Sequence, residues 1–370
     1  MARVLREYAA GPVAAFAIGK AASAMALGAH DALGARILET LVITKDGHVD
    51  PRLLPLRGVT AMESAHPVPD ARSLAAGMEL VRRLVSLRAN VRPLFLVSGG
   101  SSSLVESMAE GRTLAELRAL NQRGLAAGWD IATLNAERAR LSRLKRGGVA
   151  RLLGLRHATA LFISDVPGDD PGVIGSGLLG PAPDGADAIE RIVVANIDGA
   201  VRGALDAAQA RGLRFASGAT RFAGAADCVA REFVDALRDC DADGLVWGGE
   251  SVVELPASFG RGGRNTHLAL VAARLLSAAE PLAILAAGTD GTDGSTSDAG
   301  ALVDAGSIER AELAGCDVER AIREFDSGLA LEAAEDLVHT GPTGTNVGDI
   351  LIGLRRPAPS MRGDTPPRVL

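Results

Sequence analysis

Lysine is scarce in this chain. Of the 39 positively charged residues, only Lys20, Lys45 and Lys145 are lysines, and arginine supplies the rest. A lysine that persists against this preference is expected to do what a guanidinium cannot, which is to act as a compact charge with three rotatable donors. The alternative is that the three lysines are remnants of a compositional bias. That alternative predicts lysines on polar helix faces, whereas Lys20 and Lys45 each follow a predicted strand.

Aromatic residues are also few, at 3% of the chain, and the net charge is −6. The shortage of aromatics argues against stacking platforms for single-stranded nucleic acid. The negative charge argues against binding to a phosphate backbone. No apolar run approaches the length of a membrane span, and the N-terminal segment lacks the apolar core of a signal peptide. We therefore expect neither a nucleic acid nor a membrane as a partner.

Cysteine is limited to Cys228, Cys240 and Cys316, an odd number without metal-binding spacing. This usage is typical of a reduced, cytoplasmic protein. The chain has 370 residues, with 47% hydrophobic and 23% charged residues, which is the balance of a globular protein too long for one core. We expect two domains, covering residues 1–220 and 221–370. A homodimer is compatible with the sequence, which leaves the oligomeric state open.

Short apolar runs alternate with helical patterns in the first half of the chain. This alternation predicts an α/β fold with a largely parallel, doubly wound sheet. In the second half, we expect helices over 226–238 and 266–278, short strands over 244–248 and 251–255, a buried parallel strand over 281–287 and a closing strand over 349–354. The first-half strands are predicted over 13–18, 41–44, 93–97, 158–163 and 191–195, with helices over 71–89 and 197–211.

The loop Gly288–Asp298 (GTDGTDGSTSD) follows the predicted strand 281–287 and carries three aspartates. One tight turn needs one Asp-Gly pair, whereas this loop has two in tandem, Asp290-Gly291 and Asp293-Gly294. Ligands of open α/β sheets bind beyond the carboxyl ends of strands. We therefore interpret this loop as functional rather than as a plain turn.

Two further strand ends favour binding of an anion. The strand over 93–97 runs into Ser98, Gly99, Gly100, Ser101 and Ser102, and a helix is expected to open at LVESM. Glycines let the backbone approach a phosphate, the serines offer hydroxyls, and a helix N-terminus adds its dipole. Gly19-Lys20, between a strand and a helix, likewise offers amides and a cation, although it is not a Walker A motif.

Other candidate positions are acidic or basic loops. Ser164–Pro171 carries Asp165 and two further aspartates after a strand, which could hold a divalent cation or form acidic turns; we weigh the two alternatives evenly. Arg261 and Arg264, among glycines before a helix, are expected to meet an anion bidentately. Gly175–Gly180 matches the dinucleotide fingerprint, but we discount it because it neither follows a strand directly nor opens a helix.

Taken in order, these segments resemble the bacterial-type glycerate 2-kinases, the family that carries a C-terminal MOFRL domain and includes proteins once labelled hydroxypyruvate reductase. No single segment is decisive, but the ordered set is specific and covers most of the chain. The matching segments are 19–22, 45–48, 66–70, 98–102, 135–142 with Lys145, 164–169, 248–250, 260–265, 288–294 and 341–347.

The resemblance implies phosphorylation of D-glycerate at its 2-hydroxyl, with ATP and Mg²⁺, to give 2-phosphoglycerate. It implies a larger Rossmann-like N-terminal domain, a smaller α/β C-terminal domain whose last strand returns to the first domain, and a site in the cleft between them. On this basis, Ser98–Ser102 cradle the phosphates, and Lys20 and Arg264 neutralise the transferring group.

The resemblance also suggests roles for the carboxylates. Asp290 would orient or deprotonate the acceptor hydroxyl, and Asp165 and Asp293 would bind the metal. Arg264 could instead bind the glycerate carboxylate, and the sequence does not separate the two roles. The competing interpretations are a nicotinamide-dependent hydroxypyruvate reductase and a non-catalytic sugar-acid or nucleotide-binding protein.

Overall fold

The protein folds into two compact units in a computed structural model. The structure describes residues 1, 4–5 and 11–355, except for residues 128, 130, 183–184, 186–187, 219–220 and 257. The first unit comprises Met1–Asn196 and Gly344–Val347, and the second comprises Ile197–Thr343 and Gly348–Leu370. No helix in the described part of the chain is long and apolar enough to cross a membrane.

The first unit is built on a six-stranded parallel sheet. Its apolar strands are buried, and the rings of Phe16 and Phe95 stack on neighbouring strands at a centroid distance of 5.2 Å. The strands are β1 (Val13–Ile18), β2 (Ile37–Lys45), β3 (Val59–Ser64), β4 (Arg92–Val97), β5 (Ala158–Ile163) and β6 (Ile189–Ala195). The helices are α1 (Ala22–Leu33), α2 (Ala71–Ser86), α3 (Ser101–Leu104), α4 (Leu114–Ala126), α5 (Ile131–Leu141) and α6 (Gly148–Leu153).

The strand order of this sheet is β3-β2-β1-β4-β5-β6, with every pair parallel. This is the order of the doubly wound nucleotide-binding fold, so the prediction of an α/β, Rossmann-like first half is confirmed. The winding reverses between β1 and β4, and ligands of such sheets bind outside the carboxyl ends of the strands at that point. The residues that follow β1 and β4 are therefore the first place to look for a site.

The second unit contains a mixed seven-stranded sheet, ordered β12-β11-β10-β13-β9-β7 with β8 also paired to β9. Its core includes Phe233, whose ring meets the ring of Trp247 edge-on at 5.1 Å. The strands are β7 (Phe215–Ser217), β8 (Phe222–Ala225), β9 (Gly244–Val252), β10 (Leu282–Gly288), β11 (Gly300–Asp304), β12 (Leu337–Val338) and β13 (Asp349–Arg355). The helices are α7 (Ile197–Gln209), α8 (Ala226–Asp239), α9 (Arg264–Leu275), α10 (Ser307–Leu313), α11 (Val318–Arg323) and α12 (Ser327–Ala333).

Two strand predictions in the second unit were wrong. The strand at 281–287 was expected to be parallel, but β10 is antiparallel to both β11 and β13. A buried strand gives the same apolar run in either direction, so the pattern did not reveal the pairing. The two strands expected around Gly249-Glu250 form one strand, β9, because Gly249 marks a close approach to the backbone oxygen of Phe222 rather than a break.

The chain also divides at a different place from the predicted boundary at residue 220. Helix α7 packs against β7, β9 and β13, so the second compact unit begins at Ile197. The closing strand does not return to the first sheet, since β13 pairs with β9 and β10. Only the loop before it, Gly344–Val347, belongs to the first unit.

Candidate active site

The turn after β1 and the loop after β4 meet at the point where the first sheet reverses its winding. The Lys20 amide donates to the Gly99 carbonyl at 2.9 Å. The Ala21 amide donates to the Ser98 hydroxyl at 3.0 Å. The predicted Gly-Lys turn and the predicted Ser/Gly loop are therefore parts of one structure, although 77 residues separate Ala21 from Ser98.

Gly100 faces Lys20 and His66. It has a φ of +83°, a conformation that favours glycine. A Cβ added there would lie 3.1 Å from the His66 ring and 3.2 Å from Lys20 Cγ. Gly100 thus leaves room beside the lysine, as a close approach of a ligand to the backbone requires. His66 was named in the sequence only as part of a matching segment, since a single histidine next to prolines carries little signal.

The serines of the loop are less available than the sequence suggested. Ser98 is fully buried and accepts the Ala21 amide. The hydroxyls of Ser102 and Ser176 lie 2.7 Å apart, and the Ser103 hydroxyl donates to the Gly100 carbonyl. Ser101 Oγ is buried without a hydrogen-bond partner among the described residues. The loop therefore offers an anion mainly its glycine backbone.

The expected helix behind this loop is only one turn long. It ends at Leu104, and Val105 is already extended, so LVESM does not open a helix. The helix dipole available to a phosphate is accordingly small, since it grows from the alignment of successive peptide units. Beyond the helix, Glu106 is fully buried and accepts hydrogen bonds from Ser142 and Lys145, which anchor the segment after Val105.

Asp165, after β5, lies beside Gly99. The Asn346 side-chain amide donates to Asp165 Oδ2 at 2.9 Å. A Cβ at Gly99 would overlap this carboxylate oxygen, at 1.8 Å. The loop Gly344–Val347 thus brings an amide into the first unit to orient the aspartate. Asn346 was part of a matching segment, but its partner, 181 residues away, carried no local signal.

A cavity of about 220 Å³ lies next to the same loop. Arg138 projects from α5, and its Nε donates to Asn121 Oδ1 at 2.6 Å. Its Nη1 donates to Asn135 Oδ1 at 3.3 Å. Burial lowers the pKa of Arg138, and the charge of Glu106 opposes the shift. The residues that line the cavity include His66, Gly100, Ser102, Asn121, Arg138 and Lys145.

Lys145 is buried against Glu106. Its Nζ donates to Glu106 Oε2 at 2.5 Å and to the Ser102 carbonyl at 3.0 Å. Burial lowers the pKa of Lys145, while the Glu106 carboxylate acts in the opposite direction. The pair fixes the floor of the cavity, and its two charges balance each other.

In the second unit, Asp293 caps α9. Its Oδ1 accepts from the Asn265 amide at 3.0 Å, and its Oδ2 accepts from the Thr266 amide at 2.7 Å. The Asn265 side chain donates a third bond at 3.3 Å. Asp293 is 1% exposed, and burial raises its pKa against the effect of these donors. The geometry is that of a helix cap from a neighbouring loop, and the metal role of Asp293 stays a prediction.

Arg264, the first residue of α9, is already paired. Its Nε and Nη2 bond Asp349 at 2.5 and 3.0 Å, and its Nη1 lies 2.9 Å from Glu250. Although burial opposes ionisation, the Asp349 and Glu250 carboxylates raise its pKa. Arg264 was expected to meet an anion bidentately. In the structure, the carboxylates of Asp349 and Glu250 already occupy its guanidinium, and its role toward a bound anion stays a prediction.

Arg261, the other loop arginine, is occupied in the same way. It pairs with Asp298 at 3.1 Å and with Glu332 at 2.7 Å. Asp298 is fully buried and also lies 3.2 Å from His339 Nδ1. Asp298 therefore links the acidic loop to its neighbours, and its role is structural.

Asp290 lies in the acidic loop, two residues beyond the end of β10. It is 7% exposed, and its Oδ1 accepts from the amide and the hydroxyl of Thr292 at 3.0 and 2.9 Å. These bonds close a local turn, as the Asp-Gly pattern predicts. A Cβ added at Gly288 would be 3.4 Å from Asp290 Oδ1 and 3.7 Å from Asn265 Nδ2, so both side chains flank the end of β10.

Two negative observations bear on cofactors. Among the described residues, no group of three or more His, Cys, Asp or Glu side chains could hold a metal ion on its own. The Gly175–Gly180 fingerprint forms part of a short 3₁₀ segment over Ile174–Gly177, with Gly175, Ser176 and Gly177 at positive φ. It lies in no strand–turn–helix unit, so this motif does not form a dinucleotide site.

Comparison with known proteins identifies both halves of the chain. Residues 3–206 match a family described as a domain of unknown function, DUF4147, and residues 244–349 match the MOFRL family. The chain is 34% identical to a D-glycerate 2-kinase of Thermotoga maritima, over 91% of this chain and 89% of that protein. It is 31% identical to a glycerate 2-kinase of Pyrococcus horikoshii, over 96% and 89%.

A third relative and a solved structure are also similar to this chain. A protein of Agrobacterium vitis, provisionally named a hydroxypyruvate reductase, is 34% identical over 90% of this chain and 96% of its own length. The crystal structure of a glycerate kinase of Thermotoga maritima matches with a TM-score of 0.84 at 32% identity, covering 96% of this chain and 94% of that one. Both domains and nearly the whole length are shared, and the chain therefore belongs to the glycerate 2-kinase family, as an enzyme with a DUF4147 and a MOFRL domain.

Proposed function

We propose that this enzyme transfers the γ-phosphoryl group of ATP to the 2-hydroxyl of D-glycerate, giving 2-phosphoglycerate and ADP. The observation that carries the proposal is the meeting of Gly19-Lys20 with Ser98–Gly100 where the first sheet reverses its winding. Phosphoryl transfer depends on positioning and charge neutralisation more than on covalent chemistry. A cation beside a glycine backbone supplies both.

In the first unit, the backbone of Ser98–Ser102 cradles the phosphates. Glycine at 99 and 100 allows a phosphate oxygen to approach the chain, and Lys20 adds a compact positive charge. The serine hydroxyls contribute less, because most of them already bond the protein. A side chain at position 100 would crowd Lys20, so glycine at this position keeps the space beside the lysine open.

Mg²⁺ would be held at Asp165 together with the ATP phosphates. A carboxylate oriented by Asn346, beside the glycine backbone, suits a cation that takes one or two carboxylates plus substrate phosphates. When bound, the ion neutralises charge on the transferring group. Asp293 is the weaker candidate, because its oxygens hold the amides of α9.

From the second unit we retain Asp290 and Arg264. Asp290 would orient or deprotonate the 2-hydroxyl. Arg264 would neutralise negative charge on the transferring phosphoryl group or bind the glycerate carboxylate. In either role, its guanidinium would have to release the carboxylate of Glu250, whose side chain is half exposed.

A cytoplasmic location and a homodimer remain predictions. Light scattering on the purified protein measures the oligomeric state.

The test is ADP release from purified protein supplied with ATP, Mg²⁺ and either D- or L-glycerate. Phosphorus NMR of the product distinguishes phosphorylation at the 2-hydroxyl from phosphorylation at the 3-hydroxyl. We expect ADP and 2-phosphoglycerate in equal amounts with D-glycerate, and loss of turnover when the metal is chelated. Absence of turnover with D-glycerate, or a 3-phosphorylated product, would contradict the proposal.

The matched negative control replaces the substrates with hydroxypyruvate and NADH. Because the Gly175–Gly180 motif does not form a dinucleotide site, we expect the absorbance of reduced nicotinamide to stay constant. A steady decrease in this absorbance, at a rate comparable to that of ADP release in the kinase assay, would favour a reductase activity instead.

A further inference from the structure

The cavity beside the Ser98–Ser102 loop contains an arginine that pairs with no carboxylate in the described part of the chain. Arg138 is held by the side-chain oxygens of Asn121 and Asn135, which are neutral. Among the described residues, no carboxylate lies within salt-bridge distance of its guanidinium. This differs from Arg261 and Arg264, which pair with carboxylates of the protein.

The nearby acid does not neutralise Arg138. Glu106 accepts from the Ser142 hydroxyl and the Ser107 amide through Oε1, and from Lys145 through Oε2. Its charge is therefore balanced by Lys145. Arg138 remains as an excess positive charge at the cavity wall, and a partly desolvated charge of this kind is stabilised by an anionic partner.

The two asparagines orient the guanidinium. Nε and Nη1 point to the amide oxygens, while Nη2 has no hydrogen-bond partner among the described residues. A guanidinium fixed on one side and open on another presents donors in a planar fork, which matches a carboxylate. The two neutral asparagines orient the guanidinium without neutralising its charge.

The size of the cavity favours a small anion. Its volume of about 220 Å³ is below the range of roughly 300–1,000 Å³ that is usual for pockets of drug-sized ligands. A volume of this size suits a three-carbon acid. Asn121, whose Oδ1 holds Arg138, also lines the wall, whereas the Ser102 and Ser103 hydroxyls there already bond Ser176 and the Gly100 carbonyl.

We propose that Arg138 binds the carboxylate of a small hydroxy acid in this cavity and so selects acids over neutral polyols and amides. The inference rests on the proposed function and deepens it, because it assigns the acid-recognition site to a residue of the first unit. Arg264 is then not needed for the carboxylate and retains its pairing with Asp349.

The experiment compares D-glycerate with D-glyceramide, its uncharged carboxamide, in the ADP-release assay. The variants are Arg138→Gln, which removes the charge, and Arg138→Lys, which keeps the charge but not the fork. The matched control is Arg140→Gln, two residues along α5, where the arginine is exposed and paired with Glu137. Circular dichroism and unfolding temperature confirm that each variant is folded.

Because a hydrogen bond to a charged group contributes about 1.5–3 kcal/mol, we expect Arg138→Gln to lower kcat/KM for D-glycerate by about 10- to 100-fold. The KM for ATP and the rate with D-glyceramide should stay near wild type, so that the preference for the acid disappears. Arg138→Lys should retain part of the preference, and Arg140→Gln should behave as wild type.

The outcomes separate the two proposals. If wild type phosphorylates D-glycerate but Arg138→Gln keeps the acid-to-amide preference, or raises the KM for ATP instead, the carboxylate assignment is overturned and the kinase function stands. If Arg138→Gln does not fold, an unaltered preference in folded Arg138→Lys overturns the assignment, and a reduced one supports it. If wild type neither binds nor phosphorylates D-glycerate, the proposed function fails and the assignment falls with it.

Discussion

Lys20 and Lys145 show why an arginine-rich chain retains lysine at particular positions. Lys145 places one small ammonium group between Glu106 Oε2 and the Ser102 carbonyl in a fully buried position. A planar guanidinium needs more room and more partners. Lys20 lies in a tight turn whose amide is fixed by Gly99. At Lys145 the surrounding structure accommodates a compact charge, and we predict the same requirement at Lys20.

Substitution of Lys20 by arginine tests this at the candidate site. A guanidinium would displace the charge by about 1 Å or more and crowd Gly100 and His66, so we expect kcat to fall on the order of 100-fold. The control is the opposite substitution at the surface, Arg140→Lys on α5, which should leave kcat unchanged. Wild-type kcat in Lys20→Arg would show that the shape of the charge does not matter.

Asp290→Asn tests the role of a single negative charge. Asparagine keeps the side-chain oxygen that accepts from Thr292, so the loop should remain folded. Loss of the carboxylate should lower kcat by about 10²- to 10⁴-fold while the KM for ATP changes little. Asp235→Asn, on the exposed face of α8, serves as the control. If kcat remained close to wild type, Asp290 would not act on the acceptor hydroxyl.

At the level of secondary structure, the N-terminus of α9 is held by residues from outside the helix. Asp293 supplies its cap, and Arg264, its first residue, is tied to Asp349 at the start of β13. The helix is almost entirely buried, and its buried residues include Leu268, Leu270 and Val271. A helix packed in this way needs its first amides satisfied, because no water reaches them.

We expect Asp293→Ala to lower the free energy of unfolding by about 1–2 kcal/mol, the usual cost of losing a helix cap. The measurement is urea unfolding followed by circular dichroism. The concentration of Mg²⁺ needed for half-maximal activity should not change, because a cap does not touch the metal. Ser295→Ala, in the exposed part of the same loop, is the control. Unchanged stability with a raised Mg²⁺ requirement would instead support a metal ligand.

At the scale of the whole molecule, the net charge of −6 conceals many paired charges. The pair Arg238–Glu280 in the second unit is a clear example, with Nε–Oε1 and Nη2–Oε2 distances of 2.6 and 3.0 Å. The Arg238 bonds, with the Ser277 amide, lower the pKa of Glu280 to about 2 from 4.5. A depressed acid pKa stabilises the fold above the unfolded pKa, and this contribution is lost as pH falls through the folded value.

Glu280→Gln should therefore reduce stability above pH 4.5, and the difference from wild type should vanish as the pH approaches about 2. Both side chains are partly exposed, so we expect a loss of no more than about 1 kcal/mol. Unfolding temperatures measured across this pH range provide the test, with Glu309→Gln on α10 as the control. A constant difference at all pH values would mean that the charge of Glu280 does not contribute.

The sequence alone predicted the regular strands and the loops that follow them. Strands β1 and β5 were predicted with their observed bounds, because a buried parallel strand is a continuous apolar run. The strand β3 was missed because its exposed polar residues, Thr60 and Glu63, interrupt the apolar pattern. The Ser98–Ser102 loop was identified because glycine and serine after a strand are a local signal.

Only the tertiary structure decided which groups pair. Arg264 binds Asp349, 85 residues away, and Asp165 accepts from Asn346, 181 residues away. Composition and spacing describe what a segment can form locally, whereas a hydrogen bond depends on where the folded chain brings its partner. For that reason, no local pattern indicated that Arg138 bonds two neutral asparagines whereas Arg264 pairs with carboxylates; the fold assigned those partners.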